Sequence, residues 1–98
     1  MTQTHIRVLL CDDHRFFRDG VRTLLATIPD IEVVGEASNG EECVKAAAER
    51  RPDVILMDAQ MPGLNGVEAT RRVVRDNAEV GVVMLTMFED TDLMLSAM

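Results

Sequence analysis

Three runs of apolar, β-branched-rich sequence, at residues 6–11, 54–57 and 80–85, each end on a side chain able to hold a ligand. Asp12-Asp13 follow the first run, Asp58 the second and Thr86 the third. Continuous apolar runs of this length read as strands covered on both faces, which means a parallel sheet lying between helices. In such sheets, sites form outside the carboxyl ends of the strands. Three acids and one hydroxyl are therefore expected on one edge of the fold, as a small-cation site containing a reactive carboxylate.

The intervening segments have helical spacing. Residues 15–27 carry apolar side chains at Phe17, Val21, Leu24 and Leu25, the spacing continues to Ile28, and Pro29-Asp30 stops that helix. Residues 31–37 read as a second strand. Ser38-Asn39-Gly40-Glu41-Glu42 supplies a capping side chain and acids in the first turn of a second helix. That helix runs to about Arg51, with Val44, Ala47 and Ala48 facing inward, and ends at Pro52-Asp53. A loop over 59–65 holds Pro62 and Gly63, and a third helix over 66–76 presents Val67, Ala69, Val73 and Val74. After a loop over 86–89, Asp90 or Thr91 caps a last helix containing Leu93, Met94, Leu95, Ala97 and Met98. The order βαβαβαβα predicts an α/β fold, an open parallel sheet with right-handed crossovers and helices on both faces. Ninety-eight residues suffice for one domain with one core.

Composition narrows the function. A net charge of −7 argues against direct nucleic-acid contact, which needs clustered Lys and Arg. Arg71, Arg72 and Arg75 read as a solvated helix face, and the single lysine is Lys45. Cys11 and Cys43 have neither a CxxC spacing nor a His at metal-ligand distance, so they read as reduced packing thiols. Met57, Met84, Met94 and Met98 read as core filling. The amino terminus lacks the regions of a signal peptide, and no apolar run is long enough to span a membrane. The expected location is the cytoplasm.

At each strand end two readings stand side by side. Asp58 begins a turn with Pro62 and Gly63, or is a carboxylate nucleophile forming an acyl phosphate. The loop glycines give that turn its shape and let backbone approach a ligand. Asp13 caps the first helix, or joins Asp12 in binding Mg²⁺, a hard ion that favours one or two carboxylates with waters and phosphate oxygens. Thr86 is a β-branched strand residue, or donates its hydroxyl to a phosphoryl oxygen. His14 beside the acids is a surface or capping residue, or a metal ligand.

Taken together, these residues resemble the bacterial response-regulator receiver domain, a flavodoxin-like (CheY-like) doubly wound parallel sheet. The matching pieces are Cys11-Asp12-Asp13-His14, the block from Met57 through Asp58, Gln60, Pro62 and Gly63 to Gly66, and Met84-Leu85-Thr86-Met87-Phe88. Three further stretches are similar to the NarL/FixJ branch, which carries a LuxR-type helix-turn-helix output: Arg18-Asp19-Gly20-Val21-Arg22, Val33-Val34-Gly35-Glu36-Ala37 and Gly66-Val67-Glu68-Ala69-Thr70-Arg71-Arg72. The resemblance implies that Asp58 accepts a phosphoryl group from a sensor histidine kinase. It implies that Asp12, Asp13, Asp58 and the Gln60 carbonyl coordinate Mg²⁺, and that Thr86 bonds the phosphoryl group and acts as the switch. Gln60 occupies a position that would tune the lifetime of the phosphoaspartate.

The family pattern continues past residue 98 into a fifth strand, bearing a phosphoryl-pairing Lys, and a fifth helix. Lys45, on the second helix, does not replace that residue. The resemblance thus implies that 1–98 is a receiver domain incomplete at its C-terminus. A helix-turn-helix domain that contacts DNA is expected in the full-length protein. Two other functions remain in view. One is an interaction module that dimerises without phosphorylation. The other is an aspartate-nucleophile phosphatase, which needs an acid where Gln60 stands. Without a fifth strand and helix, the apolar fourth strand becomes a sheet edge and Phe17, Val21 and Leu24 lose cover. A homodimer or a swapped oligomer is the expected result.

Overall fold

The computed structural model describes residues 5–61 and 63–85. The elements run β1 (Ile6–Cys11), α1 (Arg15–Leu25), β2 (Ile31–Ala37), α2 (Gly40–Arg50), β3 (Val54–Asp58), α3 (Gly66–Asp76) and β4 (Gly81–Leu85). The strands form one parallel sheet in the order β2-β1-β3-β4. From β1 the chain winds outward to β2, then returns past it to β3. The order therefore reverses between β1 and β3, and that is where doubly wound sheets bind ligands. Asp12 directly follows β1 and Asp58 closes β3, so the two acids flank the reversal. The expected closing helix and the loop over 86–89 lie outside the described residues.

Helix starts are set by asparagines. Asn39 Oδ1 accepts from Glu42 N–H at 2.8 Å, and Asn65 Oδ1 accepts from Glu68 N–H at 2.9 Å. At α2 the cap is reciprocal, because Glu42 Oε1 accepts from both the N–H and the hydroxyl of Ser38. At α1 the N-cap is His14, with no side-chain cap, so Asp13 is not the helix cap. That helix ends at Leu25, two residues before the expected boundary, where Thr27 Oγ1 donates to the Leu24 carbonyl. Arg51 closes α2 in the left-handed conformation at φ 49°.

Leu9, Cys11, Cys43, Ile55 and Met57 are fully enclosed and form the centre of the core with Ala47, Ala69 and Val73. Cys11 Sγ lies 2.7 Å from Cys43 Sγ, whose own sulfur is 3.9 Å from Met57 Sδ. Both cysteines are free, and the contact with Cys43, together with burial, pushes the Cys11 thiol far up in pKa. Assignments on two helices need correction. Cys43, not Ala48, is the deep residue of α2 beside Ala47. In α3, Ala69 and Val73 are buried, whereas Val67 and Val74 lie on the exposed side. In α1 the expected loss of cover is seen at Phe17 and Leu24, which are exposed with Ile28, while Val21 and Leu25 are half-buried and no residue of the helix is buried. Nor is β4 covered on both faces. Val83 and Met84 are exposed, and among the described residues β3 is its sole strand neighbour. No helix among the described residues is long and apolar enough to cross a membrane.

Candidate functional site

Asp12 and Asp58 are enclosed at 2% and 0% exposure, at the ends of two neighbouring strands. Packing explains this, because each continues an apolar run whose preceding residue, Cys11 or Met57, is itself in the core. Asp13 and His14 lie at the rim and are exposed. Ligand atoms of Asp12, Asp13, His14 and Asp58 all lie within 4.8 Å of one another. The sequence-predicted acids are thus brought together as expected.

The hydrogen bonding is incomplete in an informative way. Asp12 Oδ1 accepts from the His14 N–H at 2.7 Å, and Asp58 Oδ1 accepts from the Gln60 N–H at 3.0 Å. The second oxygen of each, Asp12 Oδ2 and Asp58 Oδ2, is buried without a hydrogen-bond partner. A buried carboxylate oxygen lacking a donor is costly. A hard divalent cation removes that cost, and a cluster made of carboxylate oxygens matches Mg²⁺. The residues present therefore fit the ion.

Charge crowding supports the same conclusion. Burial pushes the Asp58 carboxyl up to about 6; the Gln60 N–H opposes this, and the neighbouring Asp12 and Asp13 add to it. His14 Nδ1 lies 3.1 Å from Asp12 Oδ1 and 3.0 Å from Asp13 Oδ1. Its bond to Asp12 and the Asp13 charge hold the imidazole above its ordinary pKa. The sequence reading placed His14 beside the acids, as a surface or capping residue or a metal ligand. The structure makes it their immediate neighbour.

The β3–α3 loop is held by close backbone packing. Gly66 N–H donates to the Ala59 carbonyl at 3.1 Å, and a Cβ at Gly66 would collide with the Asp58 carbonyl. A Cβ at Gly40 would collide with the Leu64 carbonyl, while Gly63 takes a left-handed φ of 72°. Gly66 thus admits backbone against backbone, where the sequence suggested that the loop glycines let backbone approach a ligand, and Gly40 does the same from α2. Gln60 lies beside Asp58, with an exposed side chain. Thr86 lies outside the described residues; Leu85, before it, pairs with Asp58 across β3 and β4. Sequence reasoning missed Arg18, whose guanidinium donates to the Asp12 carbonyl at 2.7 Å. The sole hint was its place in one of the branch-like stretches.

Comparison with known proteins follows the same lines. The family model for the response regulator receiver domain matches residues 8–98. Response regulator GacA of Pseudomonas aeruginosa is 47% identical over 85 residues, which cover 87% of this chain and 40% of that protein. Transcriptional regulatory protein LiaR of Bacillus subtilis is 51% identical over 87 residues, 89% of this chain and 41% of that protein. The chain thus spans about two fifths of the length of these relatives. Among solved structures, a LuxR-family two-component response regulator from Aurantimonas sp. SI85-9A1 matches with a TM-score of 0.82 at 33% identity, over 95% of this chain and 66% of that one. The response regulator domain of Thermotoga maritima CheB matches with a TM-score of 0.78 at 43% identity, over 84% of this chain and 60% of that one.

Proposed function

This chain belongs to the response regulator receiver domain family, in its NarL/FixJ branch, and we propose on that premise that it is the phosphoacceptor switch of a two-component system. A carboxylate oxygen of Asp58 attacks the phosphorus of a phosphohistidine on a sensor histidine kinase. The P–N bond breaks, its electron pair returns to the kinase imidazole, and an acyl phosphate remains on Asp58. Asp12, Asp13 and Asp58 hold Mg²⁺ together with the Gln60 carbonyl. When bound, Mg²⁺ supplies the positive charge that keeps Asp58 ionised and offsets the charge of the incoming phosphoryl group. Thr86 donates to a phosphoryl oxygen and relays the change to the surface beyond β4.

The observation that carries this reading is the pair of buried, unpartnered oxygens, Asp12 Oδ2 and Asp58 Oδ2, within one cluster of acids. The family is a signalling family. A metabolic phosphatase is disfavoured because Gln60, two residues after the nucleophile, cannot serve as a general acid. In the longer protein, phosphorylation would control a helix-turn-helix domain that binds DNA, in the cytoplasm. Exposed Leu24 and Val83 favour self-association as an accompanying property.

Two measurements test the proposal. A small acyl-phosphate donor with Mg²⁺ should label Asp58, mapped by mass spectrometry. Label on another aspartate, or undiminished label in Asp58→Asn, would refute the assignment. Calorimetry should show Mg²⁺ binding that is lost or strongly weakened in Asp13→Asn, and equal affinity in the two proteins would exclude the shared site.

A further inference from the structure

Two of the stretches that set this branch apart, Arg18–Arg22 and Val33–Ala37, have no place in the chemistry above, yet they meet one another beside it. Arg18 Nε donates to Glu36 Oε1 at 3.0 Å, and Arg22 donates to Glu36 Oε2 at 2.7 Å. Arg18 also uses a terminal nitrogen to reach the Asp12 carbonyl at 2.7 Å. Its side chain is 17% exposed and that of Glu36 25%, so the pair is largely sheltered from water. Burial pushes the Glu36 carboxyl up, but its bonds to the two arginines outweigh this and hold it below its ordinary pKa. Glu36 is therefore a fixed anion on β2, at the register position opposite Leu10.

We propose that Arg18 is a positioning residue for Asp12, and that Glu36 is the brace against which it works. This rests on the reading of Asp12 as a metal ligand. The Asp12 main chain is held at both ends, its N–H by the Ala37 carbonyl at 3.0 Å and its own carbonyl by Arg18. With the backbone fixed, the Cβ is placed, and the carboxylate it carries is oriented by the bond its Oδ1 accepts from the His14 N–H. A planar guanidinium can serve Glu36 and the Asp12 carbonyl from one rigid fork, which an ammonium cannot do. Groups that orient metal ligands in this indirect way typically contribute about 10–100-fold to metal affinity.

An ordinary salt bridge tying α1 to β2 is the competing account, and Arg22 separates the two. Arg22 bonds the same Glu36 and is not among the donors to Asp12. Arg18→Ala should weaken Mg²⁺ binding by about tenfold and speed amide exchange at His14, whose N–H reports the placement of the Asp12 carboxylate. Arg22→Ala should stay within about twofold on both measures, as expected for an exposed pair. Arg18→Lys should remain defective. Should Arg18→Ala fail to melt cooperatively, Glu36→Gln, which unbraces Arg18 without removing it, should reproduce both effects. Native behaviour of Arg18→Ala, or equal losses in Arg22→Ala, would overturn the proposal. If the native chain binds no Mg²⁺, the metal reading falls, and His14 exchange still decides whether Arg18 positions Asp12.

Discussion

The α-carbon of Gly66 rests against the main-chain carbonyl of Asp58, closely enough that a methyl group at Gly66 would overlap that oxygen. An alanine in a helix is ordinarily better than glycine by about 0.5–1 kcal/mol. Here the added carbon meets backbone and cannot be relieved by a rotamer change. Overpacking of this kind costs about 1–3 kcal/mol, so Gly66→Ala should lower stability despite its helix propensity. It should also weaken Mg²⁺ binding by moving Asp58. Denaturant melts with and without Mg²⁺ check both effects, and a more stable protein with native affinity would contradict them.

Asp58 makes the metal-free chain sensitive to pH. Its folded pKa, about 6, lies above the ordinary aspartate value. The folded state therefore holds the proton more tightly than the unfolded one. The stabilising contribution is complete below about pH 4 and is lost as pH rises through 6, an effect on the order of 2–3 kcal/mol. Asp58→Asn should remove that part of the pH dependence and raise the melting temperature near neutrality. Saturating Mg²⁺ should do the same for the native chain. The decisive quantity is the difference between native and variant stability from pH 4 to 7. A difference that stays flat would show that Asp58 is not strained by its burial.

The two asparagine caps should differ in consequence. Asn39→Ala and Asn65→Ala each remove an acceptor from a helix N-terminus, with an expected loss of about 0.5–2 kcal/mol. Asn65 immediately precedes Gly66, so its loss should also reduce phosphoryl labelling of Asp58. Asn39 begins α2, and its loss should leave labelling nearer to native. Thermal melts and labelling rates, measured side by side, test the separation.

Association should proceed through the uncovered face of α1 and the edge strand β4. Leu24 on α1 is 63% exposed, and Val83 on β4 is 49% exposed. Val83→Lys should place a charge on the edge strand and suppress pairing, while leaving the acid cluster intact. Light scattering over a dilution series is the measurement. A chain that is monomeric at every concentration before the substitution would show that β4 is not a pairing edge.

Much of this molecule was readable from local sequence, for physical reasons. Cys11-Asp12 and Met57-Asp58 each step from core to carboxylate, and that step marks a strand end whatever lies elsewhere. Asn39 acts within three residues of itself, so its cap was accessible to pattern reading; Asn65 caps α3 in the same way, but the sequence reading left it in the loop over 59–65. The pairing of Arg18 with Glu36 was not, because it joins α1 to β2 and depends on strand register. The same holds for the choice of Cys43 over Ala48 as the buried residue of α2: both are small and compatible with a helix, and the neighbouring strand decides between them. The exposure of β4 reverses an expectation drawn from its hydrophobicity, since composition registers what a strand could cover and not what lies against it. Thr86 was assigned by resemblance and lies outside the described residues.

Gly40, at the start of α2, meets the Leu64 carbonyl much as Gly66 meets that of Asp58. Neither glycine offers an atom to the ligand set. Between them they fix the standoff of the loop that follows Asp58, in the way two shims set a gap. The tolerance of that gap is less than the thickness of a methyl group. A substitution at either of these two positions, on two different helices, would therefore shift the loop beside Asp58 without removing any group that could hold a ligand.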